Sequence, residues 1–584
     1  MRNVELARCF RDLAAYLEME GVAFKPRAYE KAAQAIESHD RPLEAIYRAG
    51  GAKALCEIAG VGRSMAEKLE ELITTGRCTL REEYHRRIPV DLAGLMSLEG
   101  IGPKAVKVLY ERLGVRTLRD LEQAARAGKI RPLPHFGERS EQRILKGLSF
   151  AETSGHRVLL AVVRPLIESL VATLGRVPGV ERVVVAGSMR RGRETVGDAD
   201  VLAIARRPER VIAAFAALPQ VARVLGRGDT KCSVKIGDGL QVDLRVVPEE
   251  SFGAALLYFT GSKSHNVTLR QLAIKNGLKL NEYGLFRGSR RIAGRTEAGI
   301  YERLGLAYVP PELREDQGEI EAARKGELPR LIEPGDLRGD LQTQTDWTDG
   351  ADSLEAMARA AKDLGLEYMA ITDHTVSLAM TGGSDEKKLR RQMREIDRLN
   401  HRLGGIRILK GAEVNINKDG TLDIDDETLA ELDVVGIAVH SHMSLPRAEM
   451  TARIVRAMRN PHADILFHPT GRKLQKREPY DVDMDAVIAA ARETGTVLEL
   501  DAYPDRLDLR DEHVRRAIAA GVPIVIDSDA HSVKHLAFPR LHGVEQARRG
   551  WATAADVLNT RPVDAFLAGL KGGDTRPTAR RRRA

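Results

Sequence analysis

The string GSMRRGRETVGDADVLA, residues 187–203, sets Asp198 and Asp200 two positions apart directly after the apolar run VERVVVAG. On an extended strand, side chains two apart point to one face, so both carboxylates look the same way. Paired carboxylates repel each other unless a cation lies between them, and a divalent metal is the usual solution. Asp243 in LQVDLRVV sits on a later strand, where pairing with the first would bring a third acid to that face. Three acids can hold two magnesium ions, one lowering the pKa of an attacking hydroxyl and one bridging phosphates. Gly187, Ser188, Arg190 and Arg191 fall at the preceding turn, where backbone amides and guanidinium groups can grip a triphosphate.

Two further segments share one design: EIAGVGRSMAEKLEEL around Gly60 and Gly62, and SLEGIGPKAVKVLYERL around Gly100 and Gly102. Each reads apolar-Gly-apolar-Gly and then a helix. Two glycines allow a tight hairpin whose amides, with the next helix N-terminus, face a DNA phosphate with no Cβ in the way. Such helix-hairpin-helix units bind the backbone and ignore base sequence. LPHFGERSEQRIL, residues 133–145, is a degraded third copy.

Around these motifs lie 584 residues, enough for about four domains. Hydrophobic residues make up 43%, charged residues 30% and aromatics 4%, a globular and helix-leaning balance. No apolar run reaches membrane-spanning length, and acids interrupt the apolar N-terminal stretch where a secretory signal would need continuity, so cytoplasmic residence at the nucleoid is expected. Cys9, Cys56, Cys78 and Cys232 form no C-x-x-C pair, which argues against a disulfide framework or a cysteine zinc site. Residues 1–335 carry 54 basic against 43 acidic residues, while 336–584 carry 37 against 40. Histidine runs the other way, five before residue 336 and ten after it. The basic surplus for a nucleic-acid partner is therefore at the front, and imidazole chemistry at the back.

The spacing predicts short amphipathic helices through the first 150 residues, then a mixed α/β layer from about 158, with strands VERVVVAG, DADVLAIA and LQVDLRVV around the helix VIAAFAAL. A polar, proline-containing stretch near residues 316–335 reads as a linker. Beyond it, strands such as YMAIT, IRILKGAEV, DVVGIAV, TVLEL and VPIVID alternate with helices, the pattern of a β/α barrel, closed or distorted. The last twelve residues form a basic tail.

The G-S-x-R-R-G-x-x-T-x-G-D-x-D string resembles the nucleotidyltransferase superfamily, and its flanks narrow the resemblance to family X DNA polymerases over roughly residues 1–315. ALLYFTGSKSHNVTLRQLAIKNGLKLNEYGLF, residues 255–286, looks like the family's thumb. The resemblance implies that Asp198 and Asp200 bind both metals and Asp243 the one that activates the primer hydroxyl. It places Gly187, Ser188, Gly197, Arg191 and Arg157 around the triphosphate; Tyr258, Phe259 and Gly261 at the sugar; and Asn266 and Arg270 at the nascent base pair and template. Lys263 stands where some members have an aspartate facing the incoming base. The first 85 residues resemble the family's small domain that grips a 5′ phosphate, and in some members removes a 5′-deoxyribose phosphate through a lysine Schiff base. Lys68 falls at the nucleophile position, Tyr29 and Lys25 at supporting ones, and Ser64 where some members have a phosphate-gripping lysine.

From about residue 336 the motifs TDH (Asp373, His374), GAEV (Glu413), VHSH (His440, His442), FHPTGR (His468), LELDAYP (Glu499) and DSDAH (Asp529, His531) mostly follow apolar strands, so they can meet at one barrel mouth. This stretch resembles the polymerase and histidinol phosphatase (PHP) domain of bacterial family X enzymes. The resemblance implies a Mn or Zn cluster held by Asp349, His374, Glu413, His440, His468, Asp529 and His531, hydrolysing phosphoesters at 3′ ends or abasic sites. One departure stands out: the opening D-L-H-x-H is DLQTQ here, with Gln342 and Gln344 at both histidine positions. An amide oxygen is a poorer ligand than imidazole for such metals.

The organisation expected is a lyase-like helical domain (1–85), fingers with the second hairpin (86–155), a nucleotidyltransferase palm (156–250), a thumb (251–315), a linker (316–335), a PHP barrel (336–572) and the tail (573–584). The expected activity is Mg- or Mn-dependent gap-filling synthesis by a monomer acting on gapped or primer-template DNA with dNTPs, a base excision repair-like role away from any membrane; the alternatives are a PHP nuclease as the main activity or a non-catalytic DNA-end-binding scaffold.

Overall fold

In the computed structural model, the described residues are 1–584 apart from 2, 40, 59, 97, 99, 100, 135, 139, 143, 146, 147, 149–156, 238, 379, 380 and 572–584. Gly100, part of the 133–145 repeat and the basic tail therefore lie outside them. The chain divides into two compact units: residues 1–154 with 349–353 and 473–478, and the remainder.

The first unit is helical. Leu6, Phe10, Leu13 and Leu17 recur at helical spacing along Asn3–Met19 and are buried, and Ala32, Ala33 and Ile36 of Lys25–Ser38 pack against them. In each glycine hairpin the residue between the glycines, Val61 or Ile101, is buried and donates its amide to the carbonyl three back, Ile58 or Leu98. Gly60 has φ +77°, a conformation that favours glycine. Gly62 and Gly102 then sit immediately before helices Arg63–Thr75 and Pro103–Leu113.

The second unit begins with a five-stranded mixed sheet in the order Val180–Val185, Asp198–Ala205, Leu240–Val246, Lys231–Ile236, Val221–Arg227. Its second and third strands are parallel, and alternation along them buries Ala199, Val201, Val242 and Leu244 while turning the acids to the other face. The thumb follows, with helices Phe252–Thr260 and Lys263–Lys275 and a three-stranded antiparallel sheet.

The segment expected to be a linker is corrected by the structure. Glu319–Lys325 is a helix whose Ile320 and Ala323, with Leu328 and Leu331 beyond it, join the thumb core, and buried Glu319 bonds His265 Nδ1 at 2.6 Å. Polar composition concealed a short amphipathic helix.

Seven parallel strands from Gly339–Asp340 to Ile524–Asp527 then run in chain order. First and last meet through the Thr343–Ala530 bridge, with Asp340 Oδ1 accepting from the Ser528 amide and Asp527 Oδ1 from the Leu341 amide. The sheet thus curls into a near-closed barrel with two cores, one inside the strands around Tyr368 and Phe467 and one beneath the outer helices. Among the described residues no helix is long and apolar enough to cross a membrane.

Candidate active sites in the palm and at the barrel mouth

In the parallel ladder, Asp200 lies directly opposite Asp243, and Asp198 opposite Gln241. All three acids share one face, and Gln241 Nε2 donates to both oxygens of Asp243 at 3.3 Å. Burial, reinforced by Asp198 and Asp243, pushes the Asp200 carboxyl up to about 6. A half-buried Asp200 whose charge is disfavoured by two acids on the same face fits divalent cations.

The turn before the acids is built against them. Gly187 has φ +66°, and a Cβ there would stand 2.7 Å from Asp200 Oδ2, so only glycine lets the backbone come so close. Gly187–Arg190 forms one helical turn. Arg190 makes a two-pronged pair with Glu297, at 2.8 and 2.6 Å, and Arg314 bonds the same carboxylate at 2.6 Å. Burial alone would raise Glu297, but these two guanidinium groups hold it down at about 2. Arg191 Nε bonds Glu315 at 3.0 Å and its Nη1 donates to the Thr260 carbonyl. A Cβ on Gly261, φ +71°, would meet that Nη1 at 3.0 Å. Arg157 lies beside Gly197 and bonds Thr195 Oγ1 at 2.9 Å.

Tyr258 and Phe259 meet edge to face with centroids 5.1 Å apart, and Arg245 lies 4.4 Å over Phe259. Asn266 Nδ2 donates to the Tyr258 carbonyl at 2.7 Å and Arg270 Nε to the Asn266 carbonyl at 3.2 Å. Tyr258, Asn266 and Arg270 line a small groove with Leu280 and Asn281.

In the first unit, Lys68 Nζ bonds Ser64 through both its carbonyl and its hydroxyl, each at 3.0 Å. Lys25 is exposed, whereas Tyr29 is only 7% exposed with its ring 5.5 Å from Phe10. The structure thus makes Tyr29 a core residue rather than an exposed support for Lys68 at a DNA 5′ phosphate, because its position on the helix falls on the buried stripe.

At the barrel mouth, Glu413 lies among three histidines: His374 Nδ1 at 3.4 Å, His440 Nε2 at 3.0 Å and His468 Nε2 at 2.9 Å. His374, Glu413 and His440 can each offer one ligand atom to a common ion. Burial opposes ionisation of Glu413, yet His374 and His440 hold it well below the usual range; burial pushes His468 down to about 4. Gln344 occupies this site, Nε2 donating to Glu413 Oε2 at 2.6 Å. Among the described residues Gln344 Oε1, both side-chain polar atoms of Gln342, His468 Nδ1 and Glu499 Oε1 are buried without hydrogen bonds. Of these, Gln344 Oε1, Glu499 Oε1 and His468 Nδ1 are acceptors that fit a metal ion, and the two glutamines leave it fewer nitrogen donors. His468 and Asp529 adopt positive φ, +31° and +48°, strain that concentrates at functional sites. Asp373 is instead structural, accepting from Thr345, Thr348 and Gln392. Asp349 opens the short segment grouped with the first unit, and His442 is exposed.

Some participants were not anticipated from sequence. Asn415, two residues after Glu413, bonds His440 Nδ1 at 2.7 Å and orients the ring; the same-face spacing was the available signal. Arg506 Nε lies 3.2 Å from Asp501 and 3.3 Å from Asp529. Glu297 and Glu315, which seat the two turn arginines, come from more than 100 residues downstream.

A half-open sheet with three clustered acids beneath a glycine turn, followed by a thumb and a histidine-lined barrel, defines a metal-dependent nucleotidyltransferase joined to a metallohydrolase-like barrel. Family models match a helix-hairpin-helix domain at residues 1–78, a SAM-like helix-hairpin-helix tandem at 92–149, the DNA polymerase beta thumb at 255–315 and the PHP domain at 340–491. The chain is 37% identical to DNA polymerase/3'-5' exonuclease PolX of Bacillus subtilis strain 168, over 98% of its own length and all of that protein. It is 28% identical to rat DNA polymerase lambda over 54% of the chain and 56% of that protein, and 31% identical to a probable phosphatase of Acetivibrio thermocellus over 31% and 73%. The chain belongs to the bacterial family X DNA polymerases that carry a C-terminal PHP domain.

Proposed function

We propose that this polymerase fills short gaps in repair of damaged DNA, with Asp198, Asp200 and Asp243 as its catalytic acids. The placement of Asp200 opposite Asp243 on one face with Asp198, beneath the Gly187 turn, carries this reading. Mg or Mn bound there would activate the primer hydroxyl and offset charge on the phosphates. Ser188, the Gly187 turn and Arg191 hold the triphosphate, with Arg157 and Gly197 at its edge. Tyr258, Phe259 and Gly261 shape the sugar pocket, and Asn266 and Arg270 read the nascent pair. With the triphosphate held in line, the primer oxygen attacks the α-phosphate and pyrophosphate leaves. Gly60, Gly62, Gly100 and Gly102 grip DNA phosphates on either side of the gap as a monomer binds. Primer extension across a one-nucleotide gap tests the reading: Asp243→Ala should abolish it, and unchanged extension would remove Asp243 from the site.

The histidine cluster around Glu413 favours a second activity, 3'-5' exonucleolytic cleavage or abasic-site incision with Mn or Zn, in line with the name of the Bacillus relative. Asp349, Asp529 and His531 complete that ligand set. Lys68 is the 5′-deoxyribose phosphate lyase nucleophile, supported by Lys25. Borohydride trapping of the chain on a 5′-deoxyribose phosphate end should succeed and be lost in Lys68→Ala.

A further inference from the structure

The barrel's helix Val544–Arg549 meets the polymerase half at four of its six positions. Glu545 pairs with Arg164, Gln546 Nε2 donates to Glu194 at 2.8 Å, and Arg548 Nε bonds Glu312 at 2.8 Å. Those contacts join the domains without touching a residue of the nucleotide site. Arg549 differs. Its side chain is only 1% exposed, and its Nη1 donates both to the carbonyl of Arg191 at 2.9 Å and to Glu315 Oε1 at 3.0 Å. Its Nη2 is held from behind by Asp511, at the start of the barrel helix Asp511–Ala519.

Glu315 Oε1 is the same atom that accepts from Arg191 Nε, so one carboxylate oxygen lies between two guanidinium groups. Arg191 Nη1 is fixed separately by the Thr260 carbonyl. We infer that Arg549 is a positioning residue of the polymerase: the PHP barrel, through Arg549, sets the carboxylate and backbone that aim Arg191 at the incoming nucleotide. The inference rests on Arg191 as a triphosphate contact. A second cation on Glu315 moderates its pull on Arg191 and Arg193, the latter 3.8 Å away, and the bond to the Arg191 carbonyl pins the end of the Gly187 turn. Without Arg549, Glu315 would draw the turn arginines toward itself and away from phosphate.

The test is steady-state single-nucleotide incorporation on gapped DNA by the full chain, with variants Arg549→Gln, Arg549→Lys, Arg191→Ala and the double variant Arg549→Gln/Arg191→Ala. Arg549→Gln should raise KM for dNTP about tenfold with kcat changed less than about twofold, and Arg549→Lys should recover part of the loss. In the Arg191→Ala background, Arg549→Gln should add almost nothing, the non-additivity of residues acting through one another. Should Arg549→Gln not fold, Asp511→Asn, which loosens Arg549 from behind while keeping both guanidinium groups and Glu315 in place, should raise KM in the same direction. An unchanged KM, or penalties that simply multiply in the double variant, would overturn the inference. Arg191→Ala with unaltered KM would instead remove Arg191 from the triphosphate site, and the relay with it.

Discussion

Asp200 and Asp243 occupy the same level of two parallel strands, and the backbone of Gly187 comes close enough to Asp200 that a methyl group would collide with its carboxylate. The phosphate turn is therefore packed directly against Asp200.

The repulsion among the acids predicts opposite effects on stability and activity. Asp200→Asn should leave the metal-free protein as stable as wild type or more so, since it removes a charge that burial and two neighbouring acids disfavour. The rise in melting temperature on adding MgCl2 should shrink, and incorporation should fall about a thousandfold or more. Calorimetry with and without Mg, beside primer extension, checks both.

Gly187→Ala places a Cβ 2.7 Å from Asp200 Oδ2 in a left-handed conformation. The backbone alone costs roughly 1 kcal/mol, and relief of the clash must move the turn or the acid. Incorporation should drop about a hundredfold while duplex affinity in a binding assay stays unchanged, because the hairpins lie elsewhere.

Glu297 gives a pH signature. Its carboxyl is held at about 2 against an ordinary 4.5, so its ion pairs contribute about 3 kcal/mol fully present above pH 4.5. That contribution declines as pH falls from about 4.5 toward 2. Glu297→Gln should therefore lower stability at pH 7 by about that amount, and the gap between variant and wild type should narrow on acidification. Urea denaturation at pH 7 and pH 3.5 measures it.

At the barrel mouth, wild type should shorten a 5′-labelled primer in MnCl2 without nucleotides, and His440→Ala should not. Gln344→His restores an imidazole beside Glu413 and should tighten Mn binding about tenfold, read by titration calorimetry. No shortening by wild type would leave the barrel as a scaffold.

How much of this was legible beforehand depends on the range of each interaction. Strand alternation alone put Asp198 and Asp200 on one face, and a parallel neighbour could bring Asp243 alongside. The hairpin glycines and the histidines after apolar strands were equally visible because their signals are local. Tyr29 went astray since a helix position predicts a face, and that face is the core. The segment 316–335 went astray because seven helical residues with two apolar contacts look like loop composition. Glu297, Glu315 and Arg549 were invisible in principle, being brought to the turn arginines only by tertiary folding across 107, 124 and 358 positions.

The helix Val544–Arg549 makes the protein hard to divide. A chain cut before the barrel would leave Glu312 without Arg548 and Glu315 with Arg191 and Arg193 but without Arg549, and a barrel on its own would leave Arg549 with Asp511 alone. If Arg549 positions Arg191, a truncation that removes the barrel costs DNA synthesis as well as hydrolysis, whatever chemistry Gln342 and Gln344 leave at its mouth.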